Sequence, residues 1–125
     1  MKYFKDYELE CPITREYKLA EGFGERLDLL RESYGKPIII TSGARSKEHN
    51  KNEGGHPRSL HVYDYPYHPT GGCCAVDISI TNGVYRLLLI EAAIDLGFSI
   101  GVASNFIHVD DRTRVLGLTQ RLYVY

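Results

Sequence analysis

Ser59-Leu60-His61-Val62-Tyr63-Asp64-Tyr65-Pro66-Tyr67-His68-Pro69-Thr70-Gly71-Gly72-Cys73-Cys74-Ala75-Val76-Asp77 decides the reading of this chain, together with Phe106-Ile107-His108-Val109-Asp110 further on. His61 stands beside apolar residues, while Asp77 and His108 each sit inside a short apolar run of β type. Imidazole nitrogen and carboxylate oxygen are both good zinc donors, and three protein ligands leave a fourth position for water. His61, Asp77 and His108 therefore have the right chemistry for one zinc ion. A metal with an open position points to catalysis. Asp77 is the sharpest of the three, because a carboxylate among Ala75, Val76 and Ile78 is costly to bury unless it is paired or metal-bound.

The residues around this stretch supply the scaffold. Ala75 to Ile80 alternates and predicts a strand. Asn82 can cap the helix that follows, in which Tyr85, Leu88, Leu89, Ala92, Ala93 and Leu96 recur at helical spacing up to Gly97. Residues 98–102 and 106–110 then predict two strands of a hairpin across Ala103-Ser104-Asn105. Upstream, Leu19, Phe23, Leu27, Leu30 and Tyr34 predict an amphipathic helix over 16–33, stopped by Gly35. Ile38 to Thr41 predicts a buried strand, and Ser46 can cap a short helix over 47–53. Residues 1–17 read as an arm packed on the rest, and Leu122 to Tyr125 as an edge strand. Residues 62–73 form a tyrosine- and proline-rich loop; loops of this length are usually functional. It lines a groove or folds over the domain. Helices interleaved with antiparallel pairs make the class α+β, a small antiparallel sheet flanked by helices.

With 125 residues the chain suits one domain, residues 1–125. A net charge of −1 gives no electrostatic case for nucleic acid. Three cysteines, two of them adjacent (Cys73, Cys74) and Cys11 distant, do not make a disulfide framework; they read as reduced thiols with a packing role. No apolar run follows Met1-Lys2-Tyr3-Phe4-Lys5-Asp6, so no signal peptide is expected, and no stretch is long enough to span a membrane. His49, His56 and His68 read as solvent groups. Ten tyrosines without a tryptophan suit a partly wet groove or a small core with wet edges.

Four short motifs stand in order along the chain: Ser42-Gly43-x-Arg45-Ser46, Ser59-x-His61, Ala75-x-Asp77 and Phe106-Ile107-His108-Val109-Asp110. Together they resemble the zinc D-alanyl-D-alanine carboxypeptidases and phage endolysins that cut peptidoglycan peptides, whose fold is shared with the Hedgehog signalling domain. The resemblance implies zinc on His61, Asp77 and His108, and a substrate carboxylate held by the guanidinium fork of Arg45. It implies a further hydrogen bond from Ser59 to substrate or to a ligand. Taken with the charge, cysteine and hydropathy readings, the expectation is a monomer without nucleic-acid or membrane partners, made in the cytoplasm in a reducing compartment, of phage-encoded type and acting on the cell wall.

Two departures from the family pattern stand out. The pattern S-x-H-x-x-G-x-A-x-D sets its two ligands seven residues apart, whereas His61 and Asp77 are nine residues further apart, a loop insertion beside the metal. Several family branches place a glutamate base three residues before the last histidine; here that residue is Asn105, which takes no proton. Asp110, on the strand face of His108, is then the nearest carboxylate, either as base or as the group that orients the reacting water. Asp64 and His68 are outer candidates. A non-catalytic zinc-containing binding module or virion component of the same fold is the competing expectation.

Overall fold

The computed structural model describes residues 1–64 and 70–125, so His68 and the centre of the tyrosine-rich loop lie outside the described residues. In chain order the elements are α1 (Asp6–Leu9), α2 (Phe23–Tyr34), β1 (Ile40–Ser42), α3 (Lys47–Asn52), β2 (Ala75–Ser79), α4 (Gly83–Asp95), β3 (Ser99–Val102), β4 (Phe106–Asp110), α5 (Arg112–Leu116) and β5 (Leu122–Val124). The strands form one sheet in the order β1-β2-β4-β3-β5. The class is α+β, as the sequence implies. Four strands pair antiparallel, and β5 joins the edge of β3 in parallel, so the sheet is mixed. After β4 the chain turns through α5 and Gly117 and returns along the free edge of β3, in the direction of β3.

Alternation along the strands separates two faces. Val76, Ile78, Ile100, Ile107 and Val109 share one core with Phe23, Leu27 and Leu30 of α2 and with Leu89 and Ala93 of α4. The opposite face carries a register row across four strands: Asp77 pairs with His108, His108 with Gly101, and Gly101 with Tyr123. The apolar face buries the helices, and the row on the other face is left for chemistry.

Helix α2 begins at Phe23 and not at residue 16. Gly22 adopts φ 81°, a left-handed conformation that ends any helix reaching it from upstream. The residues before it have another use: Ala20 N–H donates to Cys73 O at 2.9 Å and Cys73 N–H to Lys18 O at 2.8 Å, which pins the segment before Asp77. Tyr85 and Leu88 of α4 are exposed although their spacing placed them inward; the buried stripe is Leu89, Ala92 and Ala93. Both predicted caps form. Ser46 Oγ accepts from His49 N–H and Asn82 Oδ1 from Tyr85 N–H, each at 3.1 Å. Asn82→Ala is expected to cost about 1 kcal/mol, read as a lower urea midpoint at unchanged slope.

Among the described residues no helix is long and apolar enough to cross a membrane. The three cysteines are buried and free. Cys73 and Cys74 lie in the core, and burial pushes the Cys73 thiol up to about 12, which leaves it inert as a nucleophile or ligand.

Candidate metal centre

Asp77 and His108 are direct partners on adjacent antiparallel strands, so their side chains rise side by side from one face. His61 arrives from outside the sheet. Its segment is strapped to Arg45 by Arg45 N–H to His61 O at 2.8 Å and Tyr63 N–H to Arg45 O at 3.0 Å. Ser59 Oγ accepts from His61 N–H at 3.3 Å and shapes the turn. One ligand atom from each of His61, Asp77 and His108 then lies within 4.8 Å of the others, and all three residues are buried.

The protons on the two imidazoles follow from their partners. His61 Nδ1 is 2.8 Å from Gly43 O, which can only accept, so Nδ1 carries the proton and Nε2 offers a lone pair. His108 Nε2 donates to Asp110 Oδ2 at 2.7 Å, so Nδ1 is its open nitrogen. The inward atoms converge on Asp77 Oδ1, at 3.3 Å from His61 Nε2 and 3.0 Å from His108 Nδ1. With both inward nitrogens bare, three lone pairs would face one another and repel; without an ion, a proton on an inward nitrogen relieves this by bonding Asp77 Oδ1, and a metal ion satisfies all three at once. This donor set fits a single divalent metal with two nitrogen ligands and one oxygen ligand.

Electrostatics around the trio follow from burial and these contacts. Burial holds His61 below the usual imidazole value. Burial also works to lower His108, yet the hydrogen bonds with Asp110 and Asp77 raise it. Burial would lift Asp77, but its bonds with His108 and His61 hold it well below the usual carboxylate range. Asp110 is likewise opposed by burial, and Arg112 and His108 bring it down to about 2. Both carboxylates are thus ionised at neutral pH.

The trio lines a groove of about 1200 Å³, whose walls include Arg45, Arg58, Ser59, Arg112, Arg121 and Tyr123. Arg45 sits at 3.5 Å from Asp77 Oδ2, and its Nε donates to Ser42 Oγ at 3.1 Å. Arg58 and Arg121 make no ion pair among the described residues.

Asp110 is fully buried and saturated. Arg112 grips it with Nε to Oδ1 at 2.8 Å and Nη2 to Oδ2 at 2.7 Å, and its backbone N–H adds a bond to Oδ1 at 3.1 Å. The carboxylate faces the outer nitrogen of His108, away from the inward atoms. That position lets Asp110 orient His108 through its outer nitrogen. Asp64 is exposed and accepts from Lys47 N–H at 2.7 Å, apart from the groove lining. Asn105 is exposed at the β3–β4 turn. His56 lies on the groove wall with its Nδ1 accepting from Arg58 N–H, and His49 stands apart in α3.

Sequence reasoning missed three contributors: Arg112, the Gly43 carbonyl and Tyr123. Asp110-x-Arg112 spacing carried a signal for the first, since a carboxylate and a guanidinium two residues apart readily pair. The other two depend on how distant segments cross.

Two imidazoles and one carboxylate at the floor of a groove form a group that could hold one metal ion. The family model for Peptidase M15 matches residues 10–110, and the chain belongs to that family. It is on that ground a metallopeptidase, with a peptide as substrate. Among curated proteins, none matches the chain.

Proposed function

We propose that the protein is a zinc peptidase that cuts peptide bonds of peptidoglycan stem peptides, as a carboxypeptidase or as an endopeptidase of endolysin type. The observation that carries this is the convergence of His61 Nε2, Asp77 Oδ1 and His108 Nδ1 in a groove walled by arginines. These three atoms would hold the ion. Zinc, when bound, makes a water nucleophilic near neutral pH and polarises a carbonyl oxygen.

The chain's own residues do the rest. The Gly43 carbonyl and Asp110 fix the two imidazole tautomers, so both rings present a lone pair inward. Arg45, on the groove wall beside Asp77, offers a fork to a substrate carboxylate, and Arg58 and Arg121 extend the same attraction along the groove. Stem peptides are rich in carboxylates from D-alanine termini and D-glutamate links, which this cationic wall suits. Ser59 stands on the same wall within reach of a peptide.

A second reading has its own observation. The carboxylates lining the groove among the described residues are Asp77 and Asp110, and both are already engaged. Asn105 supplies none. A zinc-containing binding or virion module of the same fold would look like this. Digestion of purified muropeptides, followed by mass spectrometry, separates the two. The peptidase reading expects new peptide termini that disappear on chelation and return with zinc. Tight zinc binding without any cleaved muropeptide favours the binding module.

A further inference from the structure

We propose that Tyr123 is a catalytic residue of this site, its phenol donating a hydrogen bond to the scissile carbonyl oxygen as negative charge builds there. The inference rests on the peptidase reading and adds a donor to it. Tyr123 lies beyond residues 10–110, the part matched by the family model.

The placement is specific. Tyr123 stands in the register row Asp77, His108, Gly101, Tyr123, one strand beyond the metal ligands. Gly101 lies between His108 and Tyr123, and it has no side chain. A Cβ on Gly101 would sit 2.7 Å from Tyr123 Cε2, 2.8 Å from Cζ and 2.9 Å from the hydroxyl oxygen. The phenol end of the ring therefore lies directly over Gly101, reaching across β3 toward the metal ligands. Its ring centroid is 6.0 Å from that of His108. Tyr123 lines the same groove as His61, Asp77 and His108.

Neighbouring side chains flank the ring. Arg112, held by Asp110, places its guanidinium carbon 5.8 Å from the Tyr123 ring centroid. The Tyr125 ring is 5.6 Å from Tyr123, with Phe106 beyond it. A phenol titrates near 10 in ordinary surroundings, so it keeps its proton at neutral pH. A fixed hydroxyl aimed at developing oxyanion charge stabilises the transition state more than the ground state. Neither carboxylate lining the groove can play this part, since each carries negative charge. The arginines near the ligands, Arg45 and Arg112, are drawn to Asp77 and Asp110.

Tyr123→Phe tests this directly, because it keeps the ring over Gly101 and removes only the hydroxyl. The zinc-loaded variant is expected to lose on the order of 10²-fold in kcat, with KM within about twofold and an unchanged melting temperature. A second readout is binding of a tetrahedral probe by calorimetry: the phosphinic isostere of the dipeptide unit cut, or of D-alanyl-D-alanine if none is cut. Its affinity should weaken by a similar factor, while zinc affinity stays the same. Gly101→Ala, which drives the ring off the strand, should reproduce the kcat loss. The double variant should be no worse than either single change. Absence of muropeptide cleavage by the parent protein would refute the peptidoglycan reading and leave the phosphinate comparison standing. Equal phosphinate affinity with and without the hydroxyl, or no phosphinate binding by either protein, overturns the Tyr123 proposal.

Discussion

Replacing His108 by alanine is expected to reduce peptide hydrolysis to the blank and to weaken zinc binding a few hundredfold. A four-ligand structural zinc site binds with about 10–16 kcal/mol, so one ligand's share is about 3 kcal/mol, or a few hundredfold in affinity. Activity falls further than affinity, because two remaining ligands do not fix where a reacting carbonyl meets the ion. The apo variant should still fold. His108 lies on the sheet face opposite the core formed by Ile107 and Val109, so its loss leaves the packing of α2 and α4 intact. Asp110 keeps its bidentate Arg112 and is not stranded. Competition titration with a chromophoric chelator gives the zinc affinity, and muropeptide digestion gives the activity. Full activity in His108→Ala would remove the metal from the mechanism.

The sequence carried much of this candidate site because Asp77 and His108 sit in locally legible strands. Asp77 was conspicuous as a lone carboxylate in an apolar strand, and the hairpin placed His108 on a predictable face. Both long helices were legible from spacing, and Ser46 and Asn82 from cap chemistry. What escaped has a common physical cause: it depends on tertiary contact. Helices α1 and α5 are one turn or little more and form only against the rest of the fold. Asp111, fully buried directly after β4, is held by Arg26 Nη2 at 3.2 Å and Arg114 Nε at 2.5 Å. Those partners come from α2 and α5, and no local pattern announces them. The parallel pairing of β5, and with it Tyr123, follows from a chain reversal with no sequence signature. Leu19 keeps the helical spacing and so extends the predicted α2 upstream, although it bridges to Cys73.

Asp110→Asn bears most directly on how the site works. Asparagine has the same shape but one acceptor oxygen where aspartate has two. If that oxygen takes the Oδ2 position beside His108, the amide nitrogen meets Arg112 Nε and the Arg112 backbone N–H, donor against donor. If it faces Arg112, the amide donates to His108 Nε2 and forces the proton onto Nδ1, the nitrogen that points at Asp77 Oδ1. Either arrangement loosens the ligand or presents the wrong tautomer. Zinc affinity is therefore expected to fall about 10–100-fold, with much of the activity regained at saturating zinc. A proton-accepting Asp110 predicts the opposite pattern: unchanged zinc affinity and a kcat lower by about 10²–10⁴-fold at any zinc concentration. Arg112→Met sharpens the comparison, because it touches no reacting atom in the orienting scheme and frees the Asp110 carboxylate to swing. In that scheme it weakens zinc in the same direction as Asp110→Asn, and combining the two changes adds little to either alone. With Asp110 as the base, Arg112→Met leaves zinc affinity alone, raises the basicity of Asp110 and moves the acid limb of the pH–rate profile upward.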